Sequence, residues 1–252
     1  MARRRIIPTL LTDGLGLVKG EKFQSWRTVG SVVAAARVFS LRDVDELVLM
    51  DVCATKESRS ISLEMVSSVA ACMAVPLAVG GGVQRLHDFE QLLRSGADKV
   101  ILGTIAQIKP EFITEAATRF GSQAVIVAID SAAPGGSLVA SQSGSNTIEK
   151  NAVDAAIMAS ELGAGEILLQ SVQLDGLMGG MEIGLIKSVA SSVSIPGIAS
   201  SGAGSFQDFS RAMSAGADAV AAGAMFQFTE QTPREVRDYL ANEGFDVRVA
   251  HT

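Results

Sequence analysis

Short runs of Val, Ile and Leu alternate with segments of helical period along the whole chain. The apolar runs at 5–11, 46–51, 76–80, 98–102, 123–129, 166–171, 196–200 and 218–223 predict eight strands. Apolar residues spaced three and four apart predict helices between them, at 31–41, 61–73, 85–95, 110–119, 151–162, 182–192, 205–215 and 233–243. The boundaries agree: Pro110 and Pro233 stand at helix starts, and Gly96, Gly121, Gly163 and Gly216 follow helix ends. Eight strand–helix units predict either a closed parallel barrel or a large doubly wound sheet.

An internal repeat decides between these. "LEMVSSVAACMAVPLAVGGG" (63–82) aligns without a gap on "IGLIKSVASSVSIPGIASSG" (183–202), and "SGADKVILGT" (95–104) aligns on "AGADAVAAGA" (215–224). Glu46 and Glu166, Pro76 and Pro196, and Gly103 and Gly223 are each 120 positions apart. Two copies of four βα units close into a (βα)8 TIM barrel, whereas a doubly wound sheet has no need of the copy. The expectation is one domain over 1–252, built of half-barrels 1–122 and 123–252.

In such barrels the chemistry sits where the strands end. Gly80-Gly81-Gly82 follows the third barrel strand and Gly103-Thr104 the fourth; their copies are Ser200-Ser201-Gly202-Ala203-Gly204 and Gly223-Ala224. Glycine lets the backbone approach an anion closely, and free N–H groups follow at the next helix start. The duplication therefore predicts two phosphate grips facing each other across one mouth. Acids at strand ends are Asp51, Asp130 and, in the sixth loop, Asp175. Asp130 closes the apolar run "AVIVAID", and burial there raises a carboxyl pKa toward a useful range. The Gly-rich loop carrying Asp13 and Lys19 reads as a mobile substrate cover, and 131–147 is long enough for a hairpin or lid.

Composition narrows the partners. A net charge of −6 argues against phosphate-neutralising contact with nucleic acid, and no 18-residue apolar span is present. Two cysteines without a CxxC, and only His87 and His251, suggest neither a zinc site nor a disulfide framework. No cofactor, metal or membrane is expected, and a cytoplasmic location is the default.

The whole chain resembles the cyclase subunit of imidazole glycerol phosphate synthase. "RIIP", "LVKG", "PLAVGGGV", "RSGADKV", "VAID", "ELGAGEILL", "VSIP" and "SGAGS" fall in that family's order and near its spacing. The resemblance implies a barrel that receives ammonia from a glutaminase subunit docked at its N-terminal face. It implies a doubly phosphorylated substrate held by Lys19, Asp51, Gly81, Gly82, Gly103, Thr104, Ser171, Asp175, Gly176, Ser201, Gly202, Gly223 and Ala224. It also implies an ammonia gate of Arg5, Glu46, Lys99 and Glu166, and a partner contact at Asp98.

The family uses two catalytic aspartates. One matches Asp130; the other falls on Leu11, in "TLLT" where the cyclase has "CLDV". The family's "DRDGT" is "QLDGL" here, with Gln173 in place of an acid. A cyclase-like branch, associated with turning a sugar acetamido group into an acetamidino group, has "LLL" at that strand tip and "DATKEGR" beyond. "TLL" and "DVCATKESR" resemble it, while the tail "TPREVRDYLANEGFDVR" resembles the ordinary cyclase. The sequence thus leaves three readings: an ammonia-accepting subunit of the sugar-modifying branch, the histidine-pathway cyclase with Asp13 or Asp51 replacing the lost acid, and an idle barrel that activates a glutaminase.

Overall fold

The computed structural model describes residues 3–248; His251 lies outside the described residues. The elements are β1 (Arg5–Thr12), β2 (Leu17–Glu21), β3 (Gln24–Gly30), α1 (Val32–Leu41), β4 (Leu47–Asp51), α2 (Leu63–Ala70), β5 (Leu77–Gly80), α3 (Leu86–Arg94), β6 (Lys99–Leu102), α4 (Thr104–Ile108) and α5 (Glu111–Phe120). The second half continues with β7 (Val125–Ser131), β8 (Val139–Ser141), β9 (Asn146–Ile148), α6 (Ala152–Glu161), β10 (Glu166–Ser171), α7 (Ile183–Ala190), β11 (Gly197–Ser200), α8 (Phe206–Ser214), β12 (Ala219–Ala222), α9 (Ala224–Phe228) and α10 (Pro233–Asn242). Strands β1, β4, β5, β6, β7, β10, β11 and β12 pair in that order, all parallel, and β12 returns to β1. The sheet is closed: a (βα)8 barrel.

The duplication is visible in the register. Ala78 pairs with Lys99 between β5 and β6, and Ile198 with Ala219 between β11 and β12. Side chains alternate along each strand, so one parity fills the barrel and the other meets the helices. Ile7, Val48, Ile126, Leu168 and Ile198 fill the barrel interior. Phe39, Phe89, Phe112 and Phe209 lie in the separate apolar layer beneath the helices. Both layers are apolar and buried, and burying them drives closure of the barrel.

Aspartates order the base. The carboxylate of Asp45 accepts from the Ile6 N–H at 2.8 Å, Asp98 from Leu77 at 2.8 Å, and Asp218 from Gly197 at 3.0 Å. Each fixes the start of a neighbouring strand. Asp45 is in turn held by Arg248 at 2.9 Å and by the buried Arg237 at 3.4 Å, which ties α10 and Arg248 to the α1–β4 corner.

Two expectations change. The Gly-rich stretch after β1 is no open loop: β2 pairs antiparallel with β1 (Leu11 with Val18) and with β3, making a hairpin that stands over the barrel mouth. Asp13 makes the turn into it, accepting from the N–H groups of Leu15 (2.9 Å) and Gly16 (3.0 Å). The short helices α4 and α9 are also additional to the eight predicted. The long segment after β7 does form a hairpin, β8–β9, anchored where the Gln142 N–H donates to Thr104 Oγ1 at 2.8 Å.

Candidate active site

One cavity of about 360 Å³ opens at the C-terminal ends of the barrel strands. Its two flanks are the duplicated loops after β5 and β11. Asp88 accepts from the Gln84 and Arg85 N–H groups, and Asp208 from those of Gly204 and Ser205. These matched ties bend each loop back toward the cavity. Gly82 shows why glycine is needed: its φ is +71°, and a Cβ there would collide with the Arg59 carbonyl. Gly202, at φ +90°, would collide with the Gly180 carbonyl in the same way. Gly81, Gly103, Thr104, Ser201, Gly223 and Ala224 complete the flanks, and all line the cavity.

Lys19 reaches in from β2 and Gly176 from the loop after β10. The lysine is 4% exposed, and its Nζ lies so close to Gly223 that a Cβ there would clash with it. Burial pushes the ammonium pKa down to about 8, partly opposed by Asp175. Asp175 accepts from Ser201 Oγ at 3.0 Å; burial raises its pKa, while that hydrogen bond and Lys19 pull it back. Asp130, at the end of β7, is pushed up to about 7 by burial and by the neighbouring charge of Asp175. A cation and two acids with displaced pKa values thus share one cavity, an arrangement suited to proton transfer near neutrality.

The opposite wall is apolar. Leu11 and Met50 face the cavity from β1 and β4, in register with each other. Two further acids lie near this wall, and both are engaged by the protein. Asp13 is spent on its turn and does not line the cavity. Asp51 lines it but is 3% exposed, and its carboxylate is saturated. Oδ1 accepts from the N–H groups of Cys53 (3.0 Å) and Ala54 (2.9 Å), while Arg59 Nη1 reaches Oδ2 at 2.5 Å. That bond raises the Arg59 pKa above the usual arginine value, so the guanidinium stays charged beside Asp51.

Ser171, expected among the substrate-holding residues, does not line the cavity. Its neighbour Gln170 lines the cavity, and alternation on β10 turns Ser171 to the helix side of the barrel. Sequence reading missed Gln170, Thr9, Phe23 and Trp26. The first two follow from strand parity once β1 and β10 are placed; the aromatics became legible only with the β2–β3 hairpin.

At the other end of the barrel, Arg5, Glu46, Lys99 and Glu166 close a ring. Arg5 meets Glu46 at 2.5 Å and Glu166 at 2.8 Å; Lys99 meets them at 2.9 and 2.7 Å. Burial pushes Glu166 up, but Arg5 and Lys99 outweigh it and hold its pKa below the usual carboxylate value. The interior apolar side chains separate this ring from the mouth.

Fold and site define a class: a duplicated (βα)8 barrel with a charged ring at its base and a glycine-flanked cavity at its mouth. Comparison with known proteins names the family. The model described as "Histidine biosynthesis protein" matches residues 5–232. The imidazole glycerol phosphate synthase subunit HisF of Corynebacterium glutamicum (strain R) is 40% identical, across 97% of this chain and 98% of that protein. Its counterparts in Thermobifida fusca and Salinispora arenicola are 40% and 42% identical over the same shares. The chain belongs to the HisF family of histidine biosynthesis proteins.

Proposed function

We propose that this chain is the ammonia-accepting synthase subunit of a glutamine amidotransferase pair and that it no longer runs the two-acid cyclase reaction. Its substrate is a sugar carrying phosphoryl groups, spanning the two glycine-flanked loops, and its reaction is replacement of an acetamido oxygen by nitrogen. Ammonia adds at the amide carbon and the oxygen leaves as water, a step served by one proton carrier. Asp130 is that carrier, Lys19 holds a phosphoryl oxygen beside Gly223, and the ring of Arg5, Glu46, Lys99 and Glu166 admits ammonia from a glutaminase at the base, with Asp98 at the contact.

The observation that carries this reading is Leu11. An isobutyl side chain faces the cavity where the resemblance calls for an acid, and Asp51 is held by Arg59. A leucine can neither donate nor accept a proton. The names of the relatives support a second reading, the histidine-pathway cyclase itself, and so does the tail sequence.

The test supplies ammonium salts with each substrate in turn: the ribulosyl bisphosphate of the cyclase reaction and a nucleotide-linked N-acetyl sugar. Exchange of oxygen for nitrogen in the second, read by mass spectrometry and lost in Asp130→Asn, is the expected result. Turnover of the first at the rate of a HisF relative overturns it in favour of the cyclase. Stimulation of a glutaminase with no product from either substrate leaves the idle barrel.

A further inference from the structure

Two aromatic side chains line the cavity and take no part in the chemistry assigned above: Phe23, in the turn between β2 and β3, and Trp26 on β3. Both are half-buried. Elsewhere in the barrel rings are paired, Phe39 with Phe226, Phe89 with Phe120 and Phe206 with Tyr239. Phe23 and Trp26 pair with no other ring and no cation among the described residues.

The backbone brings both rings to the mouth. Phe23 has a φ of +59°, in the left-handed region that a bulky residue rarely enters. The Lys22 N–H donates to the Asp175 carbonyl at 2.9 Å and holds that turn over the cavity. Gly20 lets the indole lie on β2, since a Cβ there would collide with the Trp26 ring. Phe23 lies against Gly144 at the tip of the β8–β9 hairpin, where a Cβ would sit 3.3 Å from it. Gln142 and Ser143, just before Gly144, also line the cavity and set an amide and a hydroxyl beside Phe23.

Unpaired rings at a cavity, with a few polar groups at their edge, suit a flat ligand with a π-face. Position says which ligand. Lys19 stands one residue before Gly20, so the strand under the indole also carries the cation beside Gly223. A ligand with a phosphoryl group at Lys19 and a flat ring at the hairpins leaves its other end free to reach Asp130. A nucleoside diphosphate sugar has that order: base, diphosphate, sugar.

We propose that the two hairpins form a nucleobase subsite over the mouth, in which the base of a nucleoside diphosphate sugar stacks on Trp26 and Phe23 and its edge pairs with Gln142 and Ser143. The subsite rests on the sugar-modifying reading above, and adds to it the carrier on which the sugar arrives. Trp26 and Phe23 are specificity-determining residues that touch the base and not the reacting atoms.

Trp26 is the only tryptophan of the chain, so its fluorescence reports on the subsite directly. The whole protein is titrated with uridine and guanosine diphosphates, with inorganic pyrophosphate and with N-acetylglucosamine 1-phosphate. The expected result is saturable quenching by at least one nucleotide and by neither ligand that lacks a base. Calorimetry should show the affinity for that nucleotide down about 10-fold in Trp26→Leu and in Phe23→Leu, the scale of one lost base–aromatic stack, with pyrophosphate affinity kept. Phe23→Leu keeps the test valid if the other variant fails to fold. Nucleotide affinity no greater than that of pyrophosphate overturns the proposal. So does quenching by the sugar phosphate alone, which gives the rings to the sugar. The readout needs no turnover and so separates the subsite from the reaction. A base that binds through Trp26 without nitrogen transfer refutes the reaction and keeps the subsite. Transfer to the sugar 1-phosphate as fast as to the nucleotide-linked sugar keeps the reaction and refutes the subsite.

Discussion

Leu11 and Asp130 hold the same place in the two halves of the barrel. Leu11 is in register with Met50 on the next strand, and Asp130 with Gln170 on its next strand, 120 positions after Met50. One half thus presents an apolar pair, an isobutyl group and a thioether, to the cavity and the other an acid and an amide. The acids with raised pKa values are thus on one side, Asp130 on β7 and Asp175 in the loop after β10, while Lys19 enters from β2.

Restoring the acid tests that asymmetry. Leu11→Asp places a second carboxyl opposite Asp130 and should raise ammonium-driven turnover of the ribulosyl bisphosphate by about 100-fold, the scale of one positioned general acid or base. The measurement is a steady-state rate against the unmodified protein. No gain would mean that more than Leu11 separates this chain from the cyclase.

Asp130 should leave a mark on stability as well as on rate. Its folded pKa of about 7 lies above the ordinary value of 3.8, so the folded protein binds the extra proton. The carboxyl is neutral in both states below about pH 4 and costs nothing there; the cost of its buried charge grows as pH rises toward 7 and is complete above that. Asp130→Asn should therefore be more stable than the parent at pH 8, by on the order of 2–4 kcal/mol, and little changed at pH 4. Denaturant melts at the two pH values decide it.

The basal ring predicts a separation of two nitrogen sources. Glu46 is 1% exposed and pairs with both Arg5 and Lys99. In Glu46→Gln two cations face a single remaining acid, and the stability loss should be about 3–5 kcal/mol, typical of a broken buried pair. If the ring is the ammonia entrance, coupling to glutamine hydrolysis should also fall while turnover with ammonium salts is kept. Equal loss of both activities would make the ring a structural element only.

Arg237 gives a prediction independent of function. It is 2% exposed and joins α10 to Asp43 at 3.0 Å and to Asp45, which in turn holds the Ile6 N–H. Arg237→Met leaves Asp45 short of a partner and should cost about 3 kcal/mol in a urea melt, while the affinity for phosphorylated ligand stays unchanged.

The repeat made the barrel legible, because 120-residue periodicity carries register as well as element order. Most of the cavity lining was legible too, with Ser171 the exception; it came from the resemblance, and strand parity turns Gln170 to the cavity in its place. The hairpin β2–β3 was hidden because its apolar residues are few and β3 is largely exposed, leaving no strong alternation to read. Arg59 was quoted as part of a motif, but its grip on Asp51 depends on a turn of the chain that no local pattern encodes.

Two of the three base aspartates carry one last consequence of the duplication. Asp98 and Asp218 do the same work on their neighbouring strands, yet Asp218 is also paired with Arg4 at 2.8 Å, while Asp98 forms no ion pair among the described residues. Two identical corners would let a docking protein settle in either of two orientations half a turn apart. With one corner neutralised from within, the base of the barrel has a direction.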